Sequence, residues 1–531
     1  MNSIKNIIKE MSLEQKVGQL FIVAFPSKDI NNISPLIEKY QIGGCYISDE
    51  NARSFDEAQE LSNKIQTIAL SQNKHLPLLL AVDQEGAWSV LSDDSITGPG
   101  NLALGALNDV KRTEEMYSIF AQEMTDVGYQ CILGPCCDIN LNTDNQIIGT
   151  RAFGENAELV SSHVKASIRG MKQNNCITAA KHFPGHGDTH SDSHREIPIV
   201  NKSKEELFKN ELLPFQAAID AGVDLIMTSH ILYPSFDEQY PATLSYNILT
   251  KLLKEKMNFK GLIITDSMNM GAIRKTYSVE ESTILALKAG ADFIMLSEEH
   301  YDHNEDYLEN QIKSIHSIID AVRNKDIDIK LIEEKLERII SFKIEKILNN
   351  RKEVARRTRV NNINVEKKVS YDSIKLLKNK TLKFPLINKK IALVNATPIS
   401  SYSNVVNIRG IGPNQSISAF TTFSETFEAL SKNSKIISYE NTRQENLDSF
   451  ETIILVTEDY PLPGEDFDKK EQIKRVNEIL TKYNDKTLVL GLRSSYELKH
   501  FPSVNNYMCA YTSRNVSAKE AAEKLLNISV K

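Results

Sequence analysis

One tryptophan, six cysteines and no long apolar run set the first limits on this 531-residue chain. A helix needs roughly 20 consecutive apolar residues to cross a bilayer, and no stretch approaches that, so no membrane association is expected. Cys45, Cys131, Cys136, Cys137, Cys176 and Cys509 are scattered and form no CxxC pair. That pattern argues against a structural zinc or a dithiol redox site and for reduced thiols in the core. Acidic side chains number 70 against 63 basic ones, a formal charge of −7 with no strongly basic block, so nucleic acid is an unexpected partner. The opening segment, MNSIKNIIKEMSLEQKVGQLF, has the spacing of an amphipathic helix. It lacks the continuous apolar core and small-residue cleavage site of a signal peptide, and a cytoplasmic location is expected.

What the chain does contain is a series of short apolar runs separated by helical stretches. GQLFIVAF, IGGCYI, LPLLLAVD, QCILGP, ITAAKHF, VDLIMTSH, GLIITD and GADFIML are rich in Val, Ile and Leu and do not alternate. Such runs fit parallel strands buried on both faces. Eight of them predict a TIM-type (β/α)8 barrel, whose chemistry gathers at the carboxyl ends of the strands. The expected catalytic barrel covers residues 1–345, followed by a linker over 346–370. Residues 371–531 hold a second series, KKIALVN, SKIISYE, FETIILVTE, KTLVLGL and VNNYMCAY, and read as a smaller, largely parallel α/β sandwich domain.

The densest polar stretch is KHFPGHGDTHSDSHREIP, residues 181–198, directly after an apolar strand. Pro184, Gly185 and Gly187 prevent a regular helix there, so its side chains project from an irregular loop. For that reason the recurrence of His182, His186, His190 and His194 every four residues is not read as a metal site. Asp83, this loop, His230 and Asp266 all fall at or just beyond predicted strand ends. Asp266 closes the strand KGLIITD as a fixed carboxylate, and His194 lies two positions beyond Asp192. A histidine bonded to a carboxylate is held in one tautomer with its protonated form favoured, which suits a proton donor working near neutral pH. Cleaving a glycosidic bond needs such a donor on one side of the sugar and a carboxylate on the other.

SLEQKVGQLF, DQEG, GPCCDIN, IIGTRAFG, KHFPGHGDTHSDSH, MTSHILYP, PATLS and FKGLIITDSMNMGAI follow one another in an order and spacing that resemble glycoside hydrolase family 3, in its β-N-acetylhexosaminidase branch. SIKLLKN resembles the start of that family's second domain. The resemblance implies a retaining exo-β-N-acetylglucosaminidase with Asp266 as nucleophile, His194 as general acid/base and Asp192 as its partner. It further implies that Asp83, Arg151, Lys181 and His182 bind sugar hydroxyls, that no metal or organic cofactor is required, and that the pathway is peptidoglycan recycling. His230 either lines the pocket or caps a strand end. The partner expected is a small carbohydrate, an N-acetylglucosaminide or related glycoside, and the second domain serves packing, dimerisation into a homodimer, or the aglycone side.

One departure from the family stands out. DQEG is usually followed by arginines that help bind substrate, but DQEGAWSVLSDDSITGPGN has no arginine or lysine between Asp83 and Gly100. Trp88, the single tryptophan, stands there instead, either as a stacking face for a pyranose ring or as packing on a barrel loop. Ser267, where an acidic residue often follows the nucleophile, is a second departure. Alternatives to hydrolysis of an amino sugar are a phosphorylase using phosphate as acceptor, a β-glycosidase with altered sugar specificity, and a non-catalytic sugar-binding protein. Stacking at Trp88 predicts that kcat/KM falls in Trp88→Ala and is largely kept in Trp88→Phe; steady-state kinetics with an unchanged alanine variant would assign Trp88 to packing.

Overall fold

The computed structural model describes residues 4–87, 92–145, 147–189, 197–297, 307–349, 357–398, 415, 417–459 and 467–527. Residue contacts divide the chain into two compact units. The first comprises residues 1–84, 113–145 and 155–356; the second comprises 85–112, 146–154 and 357–531.

Eight parallel strands build the first unit: β1 Phe21–Val23, β2 Gly44–Ile47, β3 Leu79–Val82, β4 Cys131–Ile132, β5 Ile177–Phe183, β6 Leu225–Thr228, β7 Leu262–Ile264 and β8 Ile294–Leu296. Each matches one of the apolar runs, and every strand residue is buried, which is why the runs do not alternate. The order β7-β6-β5-β4-β3-β2-β1-β8 joins first strand to last, with Ile22 opposite Met295. Between β7 and β8 the barrel closes through the bridge Ile264–Phe293, where Thr265 N–H donates to the Phe293 carbonyl at 3.0 Å and Phe293 N–H to that of Ile263 at 2.9 Å. Helices return between strands from side-chain caps: Ser54 accepts from Glu57 N–H, Asn156 from Leu159 N–H and Ser278 from Glu281 N–H. Among the described residues no helix is long and apolar enough to cross a membrane, and all six cysteines are buried free thiols.

In the second unit a six-stranded sheet runs β11-β10-β12-β13-β14-β9. Parallel strands β10 Ile391–Asn395, β11 Ser434–Ile437, β12 Thr452–Thr457, β13 Thr487–Gly491 and β14 Asn506–Cys509 are the five runs read from the sequence. The sixth, β9 Lys375–Asn379, pairs antiparallel with β14 and was not anticipated within SIKLLKN. It is a half-exposed edge strand carrying two lysines, and solvated edges lack the apolar signature of central strands. Helices Ala419–Leu430 and Asn515–Asn527 cover one face of the sheet with Phe423, Phe427 and Leu525, and helix Lys469–Tyr483 covers the other with Val476 and Leu480. The result is an α/β/α sandwich.

Residues 85–112 join this second unit for two physical reasons. Leu102 and Ala103, on helix Asn101–Leu107, pack into the cluster of Val394, Ile453 and Tyr507. The carboxylate of Glu366, on helix Arg359–Ser373, accepts from Thr97 N–H at 2.9 Å, Gly98 N–H at 2.8 Å and the Thr97 hydroxyl at 3.1 Å.

The charged helix after β8 puts two of its lysines inside the barrel's packing. Helix Ile329–Lys343 sends Lys335 Nζ to the Ala291 carbonyl at 2.6 Å, just ahead of β8, and Lys343 Nζ to Gln19 Oε1 at 2.9 Å, just ahead of β1. Lys343 is fully buried, and burial pushes its pKa down from 10.5 to about 7. Between those two values the unfolded chain holds a proton that the folded chain does not, so this side chain makes stability rise with pH across that window and withholds it below about 7. Lys343→Met should flatten the rise in urea midpoint between pH 7 and 10.

Candidate active site

At the carboxyl end of the barrel, Asp83 follows β3 and Lys181 lies within β5. Lys181 Nζ donates to Asp83 Oδ1, while the Tyr46 hydroxyl, from β2, donates to Asp83 Oδ2 at 3.0 Å. The lysine side chain is 3% exposed and the aspartate 14%, so the carboxylate stands at the open side of the pair. Charged groups held this way bind a hydroxyl-rich ligand strongly because neither has to be reoriented. Tyr46 was not singled out from the sequence; as one apolar-flanked tyrosine in IGGCYI it looks like core until β2 is set beside β3.

A second polar centre is the fully buried carboxylate of Asp138, beyond β4. It accepts from His182 Nδ1 at 2.7 Å, from His186 N–H at 2.6 Å and from His182 N–H at 3.3 Å. Burial would raise its pKa, but the charge and hydrogen bond of His182, with the His186 ring and N–H behind them, hold it below the ordinary carboxylate value. A carboxylate only accepts, so His182 carries a proton on Nδ1 and its ring is fixed in plane. Cis peptides occur at Gly134–Pro135, Lys181–His182 and Phe183–Pro184 along these two segments. Asp138 sat in GPCCDIN with no role assigned, because nothing local to that motif tells that residues 182 and 186 converge on it.

The loop after β5 is braced from several sides. Asn142 Nδ2 donates to the Thr189 carbonyl at 2.9 Å, Asn145 Nδ2 to the His186 carbonyl at 3.0 Å, and Asn142 N–H to the Gly187 carbonyl at 3.1 Å. His186 Nδ1 lies 3.0 Å from the Thr189 hydroxyl, and Tyr233 donates to the Gly185 carbonyl. Asp188 pairs with Lys202 at 2.8 Å. A Cβ at Gly187 would sit 1.6 Å from the Ile139 carbonyl oxygen, so only glycine permits this approach of the two loops. Asp192, His194 and Trp88 lie outside the described residues.

Beyond β7, Asp266 is partly exposed and its Oδ1 accepts from Ser267 N–H at 2.8 Å. Ser267 ties three strand ends together. Its hydroxyl donates to the Ser297 carbonyl and accepts from Ser297 N–H at 3.2 Å, and its carbonyl accepts from His230 Nε2 at 2.8 Å. His230 is 1% exposed, with Nδ1 at 2.9 Å from the Thr243 hydroxyl, so it acts as a strand-end brace for the Asp266 turn. This gives the serine after Asp266 a reason: a carboxylate in its place could not donate to the Ser297 carbonyl.

Arg151 is in the second unit, where its guanidinium makes a buried two-pronged pair with Glu85, Nε to Oε2 at 2.9 Å and Nη2 to Oε1 at 2.8 Å. Glu85, the acid of DQEG, was not singled out from the sequence either. Its partner lies 66 residues away, and only the fold joins them.

An eight-stranded parallel barrel with carboxylates, a lysine and imidazoles at its carboxyl end is the arrangement of a barrel enzyme acting on a small polar ligand. The chain belongs to glycosyl hydrolase family 3: the sequence model of that family's N-terminal domain matches residues 12–342, more than half of the chain. The solved structure of a family 3 β-N-acetylglucosaminidase from a Paenibacillus species aligns with a TM-score of 0.85 at 27% identity, covering 97% of each chain. Beta-hexosaminidase A of Pseudoalteromonas piscicida is 32% identical over 282 residues, 50% of this chain and 47% of that protein, so the chain spans about half of that relative's length. The beta-hexosaminidase of Haemophilus influenzae is 32% identical over 253 residues, 46% of this chain and 71% of its own. The resemblance read from the motifs is therefore borne out.

Gly187→Ala tests the tight approach to Ile139. Forcing the two backbones apart to admit a methyl group should lower the melting temperature and, by displacing the loop, lower kcat/KM of the folded enzyme by about 10²-fold.

Proposed function

We propose that this protein is a retaining exo-β-N-acetylglucosaminidase whose nucleophile is Asp266. The observation that carries the reading is the setting of that carboxylate: at the rim of β7, partly exposed, and held by Ser267 N–H on a turn braced through His230 and Ser297. The full-length likeness to the Paenibacillus β-N-acetylglucosaminidase supports the same sugar class. In the first step Asp266 attacks the anomeric carbon while His194, oriented by Asp192, gives its proton to the leaving oxygen. In the second, neutral His194 takes a proton from water, which attacks the glycosyl ester and frees Asp266. Asp83, Lys181 and His182 hold the sugar hydroxyls, with Tyr46 and Asp138 positioning them. The reading extends to a role in peptidoglycan recycling, supported by the motif branch.

Release of nitrophenol from its β-N-acetylglucosaminide should exceed that from the β-glucoside, and Asp266→Ala should lower the rate by about 10³-fold or more, since water does not replace a positioned nucleophile. A fluorinated N-acetylglucosaminide should label the peptide containing Asp266. Full activity in Asp266→Ala overturns the assignment, and phosphate-dependent formation of a sugar 1-phosphate would replace hydrolysis by phosphorolysis.

A further inference from the structure

We propose that Cys136, Asp138 and His182 form a binding site for a thiophilic divalent cation, Zn²⁺ in the first instance, and that occupation of this site inhibits the enzyme. The three side chains come from the turn after β4 and the end of β5. Their ligand atoms, a sulfur, a carboxylate oxygen and an imidazole nitrogen, all lie within 4.8 Å of one another. Cys136 Sγ is 3.2 Å from Asp138 Oδ2, and His182 Nδ1 is 2.7 Å from the same oxygen. An S–H and an N–H thus converge on one carboxylate oxygen, where a cation can take the place of the two hydrogens.

The donor set matches zinc, which prefers thiolate, imidazole and carboxylate together over the all-oxygen shells of magnesium or calcium. The charge also balances. A thiolate and a carboxylate cancel the two positive charges, which matters because Cys136 and Asp138 are fully buried and His182 is 5% exposed. On binding, bonds form from Sγ, Oδ2 and Nδ1 to the metal. The thiol proton leaves to solvent, and Nδ1 gives up its proton, with Nε2 carrying the one that the ring keeps. Tetrahedral zinc with sulfur at about 2.3 Å and oxygen and nitrogen at about 2.1 Å separates sulfur from oxygen by about 3.6 Å and nitrogen from oxygen by about 3.4 Å, so the thiol must draw back from the carboxylate by about 0.4 Å and the imidazole by about 0.7 Å. The other carboxylate oxygen is already oriented, since Oδ1 accepts the N–H groups of His186 and His182.

The adjacent thiol does not share this setting. Cys137 Sγ contacts the Pro135 carbonyl at 3.7 Å and is not among the converging ligand atoms. Selectivity for one of two neighbouring cysteines follows. Because all three ligands are buried, binding should be slow, and the shift it forces on the His182 imidazole disturbs a group assigned above to the sugar. Metal binding itself does not depend on the proposed glycosidase activity; the inhibitory consequence does.

Cobalt(II) gives a direct readout. The full-length protein titrated with CoCl₂ should show a near-ultraviolet thiolate-to-cobalt charge-transfer band saturating at one metal per chain, displaced by ZnCl₂. The band should be absent in Cys136→Val and Cys136→Ser and kept in Cys137→Val. Time-dependent inhibition by ZnCl₂, reversed by a chelator and expressed relative to each variant's own activity without metal, should weaken at least tenfold in both Cys136 variants. The serine variant guards against a folding defect in the valine one. No thiolate band in the wild type, or a band that survives in both Cys136 variants, overturns the site. Zinc inhibition of equal strength in wild type and Cys136 variants overturns its inhibitory role. A band with no hydrolysis of any amino-sugar glycoside leaves the metal site standing and removes the functional reading instead.

Discussion

The buried carboxylate of Asp138 is the constraint around which the barrel's polar face is organised. A charge with no access to water is tolerable only when several donors face it, and the donors here are the ring and backbone of His182, the backbone of His186 and the thiol of Cys136. Meeting that demand fixes the direction of the loop after β5, and with it the place of Lys181 against Asp83. Asn142 and Asn145, a few residues past Asp138, bind the carbonyls of the same loop, so two segments more than forty residues apart move as one piece. The site is rigid because a desolvated charge would otherwise be left unpaired.

A similar economy operates at β7. Ser267 links the ends of three strands through one hydroxyl and one carbonyl, and Asp266 receives its N–H from the same residue. The position of the proposed nucleophile is thus tied to barrel closure. At the opposite end, Lys335 and Lys343 satisfy polar groups that precede β8 and β1. The amino end of the barrel is stitched by cations from its last helix, and Lys343 does this at a cost in stability that burial imposes.

Much of the fold was legible because each barrel strand is buried on both faces and must therefore be a short unbroken apolar run. Legibility failed where burial is partial or the partner is remote. The edge strand β9 carries lysines and a weak pattern, so nothing in KLLKN marks it as a strand. Lys335 and Lys343 on helix 329–343 carry no mark of burial in the sequence, because a buried lysine and an exposed one are the same letter. Of the site, Asp83, Lys181, His182, His230 and Asp266 fall at strand ends that the run pattern locates. Tyr46, Asp138 and Glu85 acquire meaning only from neighbours 37, 44 and 66 residues away.

Taken alone, the order of residues determined the number of barrel strands, the ends at which polar groups collect and the family to which the chain belongs, since all three are carried by local runs and motifs. Tertiary structure decided what no local pattern encodes. Residues 85–112 and 146–154 pack with the C-terminal unit because Glu366 and the Leu102 cluster hold the first of these and Arg151 pairs with Glu85. Asp138, and not a histidine, became the hub of the loop because only folding removes water from it, and a dry carboxylate must gather every donor within reach.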